Sequence, residues 1–314
     1  MKKIKYFEIL KDAWQVTWKN RYLWWFGFLT IFSGGGTIYF NFGEKNEKEF
    51  QKVVEFFSIH PNAAIAILVM AVAFCLLFLI LGIIAEGALI KSVQKTLGGE
   101  KYNFKAGLKE GRKYFWKLFL IRLVAGFFIF AVAFLFAVPI TFIFINKFYL
   151  LGILAAVLGL LILIPVLFLA CFTKKFGYFY AVMFDLSLGE SLENGYKLIL
   201  NNIWNSLLVA VIFVVIKILV FSLILLALLL LVVPVLIIGG IFFLILKMTG
   251  VILVAILVGL VLAVFFFAVG SVFKVFTETA WILFFKEIAK TEEKEIVAEK
   301  ELEIKPAEID GVPA

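Results

Sequence analysis

Four ionisable residues interrupt the long apolar stretches of this chain, and they are its best candidates for chemistry. Lys217 is the sole charge between Lys197 and Lys247, Glu86 sits in "AEGALI", Glu278 in "TETAWI", and Arg122 follows "WKLFLI". A charge within a bilayer is costly unless it is paired or faces water, so such residues mark counter-ions, substrate contacts or proton relays. Lys217 lies about 13 residues beyond Trp204, roughly 20 Å along a helix. That spacing predicts a position near mid-depth, as a contact in a bundle interior or as a lysine snorkelling from a shifted span. Glu86 and Glu278 fall near span ends, where Arg122, Lys91 or Lys274 can neutralise them. Structural ion pairs fit them better than proton relays.

Other chemistry is poorly represented. The one histidine, His60, stands beside Pro61 in a polar connection, without a second histidine for a zinc or phosphoryl-transfer site. Phosphate-loop, nucleophile-elbow and metalloprotease patterns are not found. The reading is no catalytic residue, no metal site and no cofactor. Cys75 and Cys171 lie deep in apolar runs and read as small core residues, not as a disulfide pair.

The elements that must position these residues are membrane helices. The chain has 314 residues and is 64% hydrophobic, against roughly 45–50% for a soluble domain. Uncharged runs cover 61–85, 123–146, 148–173, 218–246 and 248–273, with a weaker one over 22–43. Each strong run exceeds the roughly 20 residues that cross a bilayer as helix. Their continuity excludes a β-barrel, which needs alternation. The N-terminal lysines lead into an amphipathic stretch, so a cleavable signal peptide is not expected.

Charge placement orients the spans. With six spans and both ends in the cytoplasm, segments 1–21, 91–122, 174–197 and 274–314 carry 24 of the 30 Lys and Arg. Only Lys45, Lys48, Lys52, Lys147 and Lys247 fall on the outer side, and Lys217 alone lies within a span. The split follows the positive-inside rule. The seven tryptophans gather at the same cytoplasmic boundaries, where an apolar ring with a polar N–H prefers to sit. The net charge of +8 therefore implies anionic headgroups, not nucleic acid. The expected location is the cell membrane, multi-pass, with cytoplasmic termini. Leu198–Leu246 is long enough for two crossings, with Pro234 and Gly239–Gly240 as breakpoints. One long span followed by a short outer apolar segment preserves the pattern described next.

That pattern occurs three times. "LKDAWQVTWK" from Leu10, "LKEGRKYFWK" from Leu108 and "LENGYKLILN" from Leu192 each run into an apolar stretch. Aligned on those leucines, Ala13, Gly111 and Gly195 form a small-residue column, with Trp18, Trp116 and Leu200 five residues further. The offsets fall on one helix face. Each copy predicts an amphipathic helix at the cytoplasmic surface, whose apolar face enters the headgroup boundary or packs on neighbours. Asn103 caps the second, and Ser187 with Glu190 forms a capping box on the third. The hairpins end alike at 85–90, 178–183 and 277–282, with Glu86, Phe179 and Glu278 in one column. Trp14, Trp18, Lys109, Arg112, Lys113, Trp116, Tyr196, Lys197 and Trp204 are the expected lipid-contacting residues.

The fold class is thus an all-α integral membrane protein. Six transmembrane helices form three parallel hairpin repeats, about 6–92, 103–183 and 187–286, each led by a cytoplasmic interfacial helix. The membrane domain covers 1–290 and a charged, disordered tail 291–314. Residues 44–60 predict a short outer amphipathic helix through Phe50, Val53, Val54 and Phe57.

The stretch "FDLSLGESLENGYKLILNNIWNSLLVAVI" resembles the multi-span bacterial membrane families related to the glycerophosphoryl diester phosphodiesterase membrane domain. Glu190, Leu192, Gly195, Tyr196 and Trp204 carry the resemblance. It implies a six-span membrane domain without the phosphodiesterase barrel, for which the chain has no room. The expected function is non-enzymatic, organising lipid or a protein partner at the cytoplasmic surface. The alternative is a small-solute transporter or channel with Lys217 lining a mid-membrane cavity.

Overall fold

The computed structural model describes residues 4–33, 57–100 and 102–290, and every regular element among them longer than one turn is an α-helix. In chain order these are α1 (Tyr6–Lys19), α2 (Leu23–Ser33), α3 (Pro61–Leu97), α4 (Phe104–Lys113), α5 (Phe115–Ile145), α6 (Tyr149–Met183), α7 (Leu188–Asn201) and α8 (Ile203–Ile288). Four of them, α3, α5, α6 and α8, are long and apolar enough to cross a membrane.

Local chemistry sets their ends. Pro61 opens α3 at its first position, where a missing N–H costs nothing. The Asn103 side chain accepts from the Ala106 N–H at 2.9 Å to start α4. Ser187 and Glu190 exchange side-chain and backbone bonds in a capping box at α7, as their spacing predicts. The α5–α6 connection turns at Lys147 with φ 61°, and α8 breaks at Lys247 with φ 51° and ψ −137°.

The break in α8 is a reversal. Phe213 and Trp281 lie equally far along the chain from Lys247, and their rings are 5.2 Å apart. An ascending limb (203–246) therefore lies against a returning limb (248–288). The ascending limb is helical through Pro234 and the Gly239–Gly240 pair. The expected short outer segment is instead a continuation of the helix, because the apolar sequence offers no polar turn before Lys247.

Burial is concentrated at one end, called here the base. The largest fully buried side chains include Phe26, Ile83, Leu118, Phe176, Phe179, Tyr180, Phe284 and Phe285. Toward the tips at Lys147 and Lys247 the helices are apolar but exposed: Leu244 is 83% exposed and Phe127 71%. The same inversion corrects the expectation for the cysteines. Cys75 and Cys171 are both exposed, because in these helices an apolar run is not a core.

The three short helices α1, α4 and α7 seat against the base ends of α8, α3 and α6. A Cβ on Gly111 would stand 2.3 Å from the Ile84 carbonyl oxygen and 2.8 Å from the Ala88 Cβ. One on Gly195 would stand 2.8 Å from the Thr173 oxygen and 2.9 Å from the Gly177 nitrogen. In α1, Ala13 is fully buried and Trp14 meets Phe276 with ring centroids 6.0 Å apart. The small-residue column is thus spent on helix–helix contact. The outer helix predicted through Phe50, Val53 and Val54 and the tail from 291 lie outside the described residues.

Candidate functional site

The helices bring most of the sequence-selected charges to one level of the base. Glu278 on the returning limb of α8 is 5% exposed. Its Oε1 accepts from Lys274 Nζ, one turn earlier, at 2.8 Å. Lys175 Nζ on α6 donates to both of its oxygens, at 3.0 and 3.1 Å. Lys175 also stands 5.2 Å over the Trp281 ring, so the ammonium is held by a carboxylate on one side and a π face on another. Across the base, Arg122 Nη2 on α5 lies 3.9 Å from Glu86 Oε2 on α3.

These groups line a cleft of about 550 Å³ whose walls come from α3, α5, α6 and α8. The cleft carries four cations, Arg122, Lys174, Lys175 and Lys274, against two carboxylates, Glu86 and Glu278. The surplus of positive charge would favour an anion over a cation there. Tyr178 adds a donor: its buried hydroxyl lies near Arg122 but makes no well-formed hydrogen bond. Lys91, offered above as a counter-ion, pairs with neither glutamate. Its Nζ donates to the Val182 carbonyl at 3.3 Å and lies 5.9 Å from the Tyr114 ring centroid. Burial, with the Asp185 and Glu110 carboxylates adding to it, pushes the Tyr114 phenol up to about 12, so that ring stays neutral.

Lys217, expected near mid-depth from its distance to Trp204, stands beside these groups. In the α8 hairpin it lies as far from Lys247 as Thr277 does, which puts it level with Glu278. It lines a second cleft, of about 490 Å³, together with Lys175, Lys274, Thr277, Glu278 and Trp281. The Lys175–Glu278–Lys274 triad is therefore a wall shared by two clefts. From this level the tips are distant. Arg122 precedes Lys147 by about 25 residues, or roughly 37 Å, and Glu278 follows Lys247 by about 31, or roughly 46 Å. No charge falls within 123–146 or 248–273, and Lys274 stands one turn from Glu278.

The surface residues selected from sequence are not part of either cleft. Trp14, Trp18, Lys109, Arg112, Lys113, Trp116, Tyr196, Lys197 and Trp204 are all exposed around the base. Sequence reasoning missed Lys174, Lys175 and Tyr178 because it placed 174–197 in a cytoplasmic segment beyond the span, whereas α6 continues as helix to Met183. The signal was there: Lys175 stands four residues before Phe179, as Lys274 stands four before Glu278. No curated protein and no solved structure matches the chain. Residues 7–291 do match a family model, that of the family of unknown function DUF7544, and the chain belongs to that family.

Proposed function

We propose that this is a non-enzymatic integral membrane protein that holds anionic lipid headgroups at its cytoplasmic side. The observation that carries the reading is the cleft with four cations and two carboxylates, set at the base of apolar, outward-exposed helices. The roughly 37–46 Å from this charged level to the tip lysines suits a bilayer, whose hydrocarbon is about 30 Å thick and whose headgroups extend it to about 40–45 Å. The cleft then lies among the inner headgroups and Lys147 and Lys247 among the outer ones. In that placement α1, α4 and α7 belong to a platform on the cytoplasmic side.

The same placement supports six spans in three hairpins: α2 with α3, α5 with α6, and the two limbs of α8. Each short helix leads one hairpin and seats on the returning helix of the hairpin before it. The first seats on the last, so the array closes as a pseudo-threefold ring about an axis along the membrane normal. A solute pathway would need polar residues between the base and the tips, and the uncharged helices there favour the lipid-binding reading over transport.

Titration of the protein in neutral detergent tests this. Phosphatidylglycerol should bind at least ten-fold more tightly than phosphatidylcholine, and the pair Arg122→Gln with Lys174→Gln should abolish most of that difference. Equal binding of the two lipids by the unaltered protein would remove the proposal.

A further inference from the structure

The second cleft has a cation that the first does not use. Lys217 is exposed on the apolar ascending limb. The carboxylate bordering its cleft, Glu278, already accepts from Lys175 and Lys274. No ion pair to Lys217 is formed among the described residues. A lysine on a lipid-facing helix needs either a route to water or an anion beside it. Its cleft holds three lysines against one carboxylate, with the indole of Trp281 and the hydroxyl of Thr277 at the wall. Thr277 spends its own proton on the Phe273 and Lys274 carbonyls, so it offers a ligand only an acceptor. That leaves the lysine ammonium groups to supply the attraction.

We propose that Lys217 anchors a second lipid phosphate, on the face of the triad opposite the Arg122–Lys174 cleft. The inference rests on the inner-headgroup placement argued above and extends it to a second, separate molecule. The ligand chemistry is a phosphodiester whose acyl chains lie along the exposed apolar surface of α8. The triad serves both sites: Lys175 and Lys274 face each cleft, and Glu278 keeps them fixed between the two phosphates.

Native mass spectrometry from neutral detergent with added phosphatidylglycerol reads the number of retained lipids. The unaltered protein should retain two, Lys217→Gln one, and Lys217→Arg two. Arg122→Gln with Lys174→Gln should also retain one, and adding Lys217→Gln to that pair should leave none. Lys217 is exposed, so its replacement should leave the melting temperature in neutral detergent unchanged. Inorganic phosphate at the same concentration should displace neither lipid; displacement would show that a free anion, not a lipid, is the occupant. One lipid on both the unaltered protein and Lys217→Gln would overturn this second site while leaving the first intact. No retained lipid on the unaltered protein would instead overturn the reading on which it rests.

Discussion

At the scale of single residues, the decisive group is Glu278. It is nearly fully buried and joins Lys175 of α6 to Lys274 of its own helix. Removing the carboxylate leaves two partly buried ammonium groups facing one another. Breaking one partner out of a buried ion cluster costs about 3–5 kcal/mol. Glu278→Gln should therefore lower the melting temperature in neutral detergent, and phosphatidylglycerol should restore part of the loss by supplying a replacement anion. A melting temperature equal to that of the unaltered protein would show that the triad is not holding α6 to α8. Lys217 teaches a different lesson at this scale. Its distance from Trp204 gave a depth but no neighbours, and the hairpin places it opposite Thr277, beside the triad.

At the scale of elements, the small-residue column explains how the short helices attach. Gly111 brings α4 so near α3 that any Cβ would enter the Ile84 carbonyl. Gly111→Ala must push two helix backbones apart, and overpacking of that kind costs roughly 1–3 kcal/mol. Gly126 on α5 has open space around its Cβ position. Alanine there should stabilise by roughly 0.5–1 kcal/mol, since glycine weakens a helix interior. Unfolding of the two variants side by side should show opposite signs; the same sign for both would sink the close-approach argument. Much of this level was legible from sequence. Helix starts at Asn103 and Ser187 and the buried column at Ala13, Gly111 and Gly195 follow from local spacing. The charge map put Lys247 in an outer connection between two spans but did not show the tight reversal at that single residue, because a lysine at positive φ carries no glycine or proline signal. Lys175 was overlooked for a related reason: its partner Glu278 is 103 residues away, and only the fold joins them.

At the scale of the whole molecule, burial at the base and exposure at the tips make a testable map. With Cys75 and Cys171 replaced by serine, single cysteines at Lys147 or Lys247 should react in intact cells with a membrane-impermeant maleimide. Cysteines at Lys109 or Lys197 should react only after permeabilisation. Labelling of all four from one side would defeat the proposed orientation. The same distribution of packing has a mechanical consequence. The α5–α6 pair and the two limbs of α8 are packed at the base and mostly exposed along the rest, so each would act as a lever with its pivot in the base. A tilt of about ten degrees at the pivot would carry a tip some 45 Å away by roughly 8 Å. In a bilayer, to whose thickness apolar helices adapt by tilting, such a tilt would change the angle at the level of the Lys175–Glu278–Lys274 triad, the wall shared by the two clefts.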